Sequence, residues 1–239
     1  MSNHQILNSG DHAGLRVHVE AGAAYGDATM ACLTVPAEFR QVQAHFPIVF
    51  RRDIASGRMS ALALFGFEDG ENLFLGGDRW DAGYRPLALS IQPFLIGRPA
   101  SEGTEPQVHV DMDHPRVSSS GEGTLVFDEE GKPTPHLERI AAMLGDLDHA
   151  HREGEDFFAA LERHALIEPF TLEVPLGDGS KHSLVGFQTV NEDKLATLDG
   201  DALRDLLAAG HLGPLYMALA SLSQFSKLVD RKNAKVMGG

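Results

Sequence analysis

"FPIVFRRDIASGRMSALALFGFED", residues 46–69, decides the fold class. Two apolar runs, "FPIVFRRD" and "MSALALFGFED", end in glycine and aspartate, and "ASGR" turns between them. Short apolar runs bounded by turn residues read as buried strands, so this segment predicts two neighbouring strands in a covered sheet. Working upstream, "ACLTVP" (31–36) reads as a third strand. "PAEFRQVQAHF" (36–46) reads as a helical turn or two opened by Pro36.

Downstream, "YRPLALSIQPFLIGRP" (84–99) is apolar but broken by Pro86, Pro93 and Pro99, so no single regular element spans it. In "QVHVDMD" (107–113), Val108, Val110 and Met112 share one face, and Gln107, His109, Asp111 and Asp113 the other. "GTLVFDEEGKP" (123–133) predicts a short strand leaving through a turn. Thr134 then offers a helix N-cap, with Pro135 in the first helical position. Leu137, Ile140, Leu144, Leu147, Phe157 and Leu161 continue at helical spacing, and Gly154 marks a place where this long helix is expected to break. Two strand-like runs flank "GDGS" (177–180), a hairpin signal. A helix over 201–209 stops at Gly210. A last amphipathic helix carries Leu215, Leu219, Leu222, Phe225 and Val229. The reading is α+β: an antiparallel or mixed sheet, a long helix after residue 134, and C-terminal amphipathic helices. The expected domains are a loose segment over 1–28, one α+β domain over 29–230, and a basic flexible tail over 231–239.

The chain has 239 residues and a formal net charge of −14, a balance that repels phosphate backbones and argues against nucleic-acid binding. No apolar run approaches the ~18 residues of a membrane span. "MSNHQILNSGDHAG" lacks the basic-then-apolar pattern of a signal peptide, and the one cysteine, Cys32, forms no internal disulfide. Together these predict a cytoplasmic protein. Cys32, between apolar neighbours in "MACLTV", reads as a buried, inert thiol.

No P-loop, dinucleotide fingerprint, nucleophile elbow or HExxH is present. His109 and Asp111 form an HxD pair on one strand face. With a distal histidine this would resemble the facial triad of non-haem Fe(II) oxygenases, and it is the one enzymatic alternative. The preferred expectation is that no cofactor is needed. The chemically richest stretch is "GGDRWDAGYRP" (76–86). There Arg79, Trp80, Asp81, Tyr84 and Arg85 combine stacking surfaces with forked donors, the residue types that dominate binding hot spots. The competing reading makes Trp80 a core plug, with the arginines satisfied by Asp78 and Asp81.

Several blocks resemble the bacterial SapC family: "HFPIVFRRD", "GENLFLGGDRWDAGYRPLAL" with "PFLIG", "VDMDHPRVS", "GTLVFDEEGKPTPHLERI", "LIEPFTLEV" and "LVGFQTVNEDKLATL". They follow the family order from about residue 30 to 230. The resemblance implies no defined reaction. Its members are often encoded beside flavin-dependent halogenase-like proteins, cupin-like proteins and outer-membrane receptors. The implied role is a binding or accessory protein that presents a peptide or small aromatic substrate to a halogenase-like or cupin-like partner. Expected partners are a protein or peptide, a second copy of the chain among them. The family's name, taken from a surface-layer locus, implies a structural role as a further alternative. At 109–114 the family pattern matches Asp111 and Asp113, whereas His109 and His114 depart from it.

Overall fold

The computed structural model describes residues 3–77, 79–97, 106–177, 179 and 181–238. Its strands are β1 (His4–Ile6), β2 (Arg16–Val17), β3 (Ala31–Thr34), β4 (Ile48–Arg52), β5 (Met59–Leu64), β6 (Phe94–Gly97), β7 (Gln107–Asp111), β8 (Thr124–Leu125), β9 (Ile167–Pro175) and β10 (Lys181–Val190). Its α-helices are α1 (Phe39–Val42), α2 (Leu87–Ser90), α3 (Pro135–Arg163), α4 (Glu192–Ala196), α5 (Gly200–Ala208), α6 (Leu212–Ser221) and α7 (Gln224–Gly238). Every pairing among the described strands is antiparallel, and the class is α+β.

The chain divides into two compact units. The first comprises Met1–Ala28, Leu75–Asp81 and Leu87–His149; the second comprises Thr29–Phe74, Ala82–Pro86 and Ala150–Gly239. The opening segment, expected to be loose, supplies β1 and β2 to the first unit. There β1 pairs with β7 and β2 with β8. The order β1–β7–β6 makes a three-stranded sheet. Its apolar face, with Val110 and Phe94 fully buried, packs on Leu137, Ile140 and Leu144 from the first half of α3. Val108 and Met112 pack against the same cluster, so the alternation read in "QVHVDMD" sets the face.

The second unit holds a five-stranded sheet in the order β3–β5–β4–β10–β9. The opening stretch of sequence supplies its centre. In β5, Ala61, Leu62, Ala63 and Leu64 are all buried, as an inner strand covered on both faces requires. The edge strand β9 alternates instead: Val174 is buried, while Pro169, Thr171, Glu173 and Pro175 are exposed. Proline lacks the ladder donor, so an edge position is where two of them fit. In β10 the register shifts between Leu184 and Phe187, and Gly186 takes a φ of 81°. This bulge puts Leu184 and Phe187, three residues apart, both into the core. The predicted hairpin is formed by β9 and β10; Asp178 and Ser180 of its turn lie outside the described residues, as do Asp78 and Pro99.

Three local expectations are corrected. Helix α3 does not break at Gly154 but runs from Pro135 to Arg163. Gly154 is buried, and a Cβ there would lie 3.4 Å from Pro36 Cδ, so the glycine permits close approach of the helix to the turn before α1. The predicted last helix is two helices, α6 and α7. The chain turns at Leu222 and Ser223, where the Ser223 hydroxyl donates to the Ala220 carbonyl at 2.8 Å. Residues 231–238 do not fray but continue α7. Lys232 is 6% exposed, and its ammonium donates to Glu68 at 2.6 Å and Glu71 at 2.9 Å. Burial alone would depress the Lys232 ammonium, but the bonds to Glu68 and Glu71 hold it above its ordinary value.

Helix α3 ends in a turn closed by Ala165 N–H to the Glu162 carbonyl (3.0 Å) and Leu166 N–H to the Leu161 carbonyl (2.8 Å). Ala165 has a φ of 55°, the left-handed region that disfavours a Cβ. Ala165→Gly is therefore expected to raise stability by about 0.5–1 kcal/mol, read as an increased Tm. An unchanged or lowered Tm would contradict this. Among the described residues, no single helix is long and apolar enough to cross a membrane.

Candidate functional site

The stretch from Leu75 folds back on itself. Leu75 and Trp80 form an isolated antiparallel bridge, and the Gly76 N–H donates to the Arg79 carbonyl at 3.0 Å. Gly77 supplies the left-handed φ of 67° that the return requires. Trp80 is half-buried, with exposed Arg79 and Asp81 on either side. All three belong to the first unit, whereas Tyr84 and Arg85 belong to the second. The five candidate residues, contiguous in sequence, are thus divided three and two.

Tyr84 is half-buried and its hydroxyl donates to Glu38 Oε1 at 2.7 Å. Thr34 Oγ1 donates to Glu38 Oε2, also at 2.7 Å. Glu38 is 4% exposed and sits on the short 3-10 turn Pro36–Glu38 between β3 and α1. A buried carboxylate must be compensated, and two hydroxyl donors contribute that compensation. Burial, and then Glu38, push the Tyr84 hydroxyl far up, so it stays protonated and acts as a donor. Burial likewise pushes up the Cys32 thiol, with Glu38 adding to the effect. Cys32 is therefore a buried thiol whose protonated form is favoured. Gly83 lies against His45: a Cβ would come 2.9 Å from His45 Cε1. Burial, followed by the charge of Lys227, holds the His45 imidazole below its usual value. Arg85 is half-buried.

Sequence reading missed Glu38. Its only signal was a carboxylate four residues after Thr34 in "TVPAE", which reads equally as an ordinary helix start. It also missed a buried pair in the first unit. Arg116 is 2% and Asp27 0% exposed, and Arg116 Nη2 donates to both Asp27 oxygens at 2.8 Å.

The HxD pair lies on β7, with both residues half-buried. The His109 ring lies over Gly97 on the neighbouring strand, in the space a side chain would occupy there. Asp111 Oδ1 accepts from the backbone N–H of Asn3 at 3.1 Å and of Asp113 at 3.2 Å. Its carboxylate is therefore engaged in holding β1 and the turn after β7. Among the described residues, no group of three or more His, Cys, Asp or Glu side chains is placed to hold a metal.

No curated protein and no solved structure matches the chain. The family model described as SapC matches residues 7–228, and it spans both the Leu75–Pro86 stretch and the strands and helices that carry it. The chain belongs to the SapC family.

Proposed function

We propose that the protein is a cytoplasmic binding or accessory protein. It presents a peptide or small aromatic substrate to a redox-enzyme partner of the flavin-dependent halogenase-like or cupin-like kind, using Arg79, Trp80 and Asp81 of the first unit. The observation that carries this reading is the partial exposure of Trp80. The side chain is not sunk as a core plug would be. The backbone of Trp80 is held by the bridge to Leu75, and its sequence neighbours Arg79 and Asp81 are exposed. A rigid aromatic flanked by charges of both signs suits stacking and forked hydrogen bonds at an interface.

The test is affinity capture from the native host with the wild-type chain and with Arg79→Ala and Trp80→Ala, followed by binding measurements with the purified captured protein. A partner bound by the wild type and bound at least about tenfold more weakly by Arg79→Ala, with an unchanged melt, is the expected result. A partner whose affinity ignores both substitutions would overturn the assignment of the surface.

A further inference from the structure

Strand β1 is an open edge of the first unit's three-stranded sheet. It has β7 on one side and, among the described residues, no strand on the other. In an antiparallel ladder, residues bonded to the partner strand alternate with residues whose backbone groups point away from it. The Leu7 N–H donates to the Val108 carbonyl at 2.9 Å, and the Met112 N–H donates to the Asn3 carbonyl at 3.0 Å. Asn3, Gln5 and Leu7 therefore bond towards β7, and His4 and Ile6 direct their backbone groups outward. The outward Ile6 carbonyl accepts from Asn8 Nδ2 at 3.3 Å. The His4 N–H, the His4 carbonyl and the Ile6 N–H have no partner among the described residues. Open edges are commonly blunted by lysine, proline or a bulge, and β1, "HQI", carries none of these.

An apolar cavity of about 360 Å³, wholly within the first unit, adjoins the Ile6 end of this edge. Ile6 and Leu7 line it together with Val108 of β7 and buried Phe127 and Leu137. Leu7 and Val108 lie on the α3-facing side of the sheet, packed against the same core cluster as Leu137. A strand laid along β1 continues that pleat. Its residue opposite Leu7 points to the α3-facing side and meets the cavity, while its residues opposite His4 and Ile6 complete the ladder.

We propose that β1 and this cavity bind an extended segment of a partner protein by strand addition, an apolar side chain of that segment filling the cavity. Main-chain bonds then supply affinity and the cavity supplies selectivity. The open backbone groups decide for a peptide over a lipid or a small apolar molecule, neither of which would satisfy them. A second copy pairing through β1 fits less well: with the two strands fully overlapped, polar Asn3 of the copy would stand opposite Leu7. Exposed Glu138 beside the cavity and the net charge of −14 favour a basic segment. This surface is independent of Trp80.

The test is an NMR titration of the isotope-labelled full chain with acetyl-Lys-Val-Leu-Val-Lys-Val-amide. Laid antiparallel, its leucine faces Leu7 and its last two valines face Ile6 and His4. The expected result is saturable shifts, with hydrogen exchange of the His4 and Ile6 amides slowed at least about tenfold. A peptide with serine for leucine, and one N-methylated at those two valines, should each bind at least about tenfold more weakly. Glutamate in place of both lysines should also weaken binding. Ile6→Pro removes an outward donor that the β1–β7 ladder does not use, so it should abolish binding with little change in the melt. If its melt falls, the N-methylated peptide makes the same comparison on the unaltered chain. Arg79→Ala should leave binding unchanged. Amides that ignore the peptide at millimolar concentration would overturn the proposal, as would equal binding of the N-methylated peptide. A free chain that is dimeric and becomes monomeric in Ile6→Pro would assign the edge to a second copy and overturn it too.

Discussion

Arg116→Ala should destabilise the protein by about 3–5 kcal/mol, because it strands a buried carboxylate. Asp27 is fully buried, and Arg116 meets it with a double hydrogen bond at 2.8 Å. The same guanidinium donates through Nη1 to the carbonyls of His18 and Glu20, both at 2.9 Å, so it also ties down the segment after β2. Lysine restores the charge but not the fork, and Arg116→Lys should fall between wild type and alanine. The cause can be separated from lost packing. Asp27→Leu combined with Arg116→Met removes both charges and should cost less than Arg116→Ala alone, because no unpaired ion remains. Urea unfolding followed by circular dichroism measures all three variants. A loss under about 1 kcal/mol for Arg116→Ala would show that water reaches Asp27 and that the pair is not buried.

Phe157→Ala should cost a similar amount, about 3–5 kcal/mol, by opening a cavity in the second unit. The ring is 0% exposed. It makes edge-on contacts with Phe39 at 6.0 Å, Phe50 at 6.5 Å and Phe158 at 5.3 Å between centroids. It thus joins α1 and β4 to the second half of α3. Phe157→Leu keeps most of the volume and should cost under about 2 kcal/mol. Equal losses for leucine and alanine would mean that aromatic geometry, not filled volume, carries the site.

The parts of this fold legible in the sequence are those whose signal is local. The apolar run 59–67 announced a strand covered on both faces. Thr134 and Pro135 marked the start of α3, and the β9–β10 hairpin followed from two runs around "GDGS". What sequence could not supply depends on distant partners. Gly154 weakens a helix in isolation, yet here it makes room for Pro36, 118 positions earlier in the chain. Lys232 reads as part of a solvated basic tail until Glu68 and Glu71 are placed beside it. The two-unit division is invisible to a linear reading, because the first unit is assembled from three separate segments. The candidate site behaves likewise. Arg79, Trp80, Asp81, Tyr84 and Arg85 stood out by composition alone. Glu38, which fixes Tyr84, lies 46 residues away and carries no motif.

Trp80 is the chain's single tryptophan, so its fluorescence reports on the proposed surface without competition. The most direct measurement is acrylamide quenching of that emission, first in the free protein and then with the captured partner bound. The account predicts clear quenching in the free protein, weaker than for free indole, and a marked loss of quenching in the complex. Arg79→Ala should abolish that protection at the same partner concentration while leaving quenching of the free protein unchanged. A Trp80 that resists acrylamide when free, or that is quenched equally in the complex, would contradict a binding role for this surface.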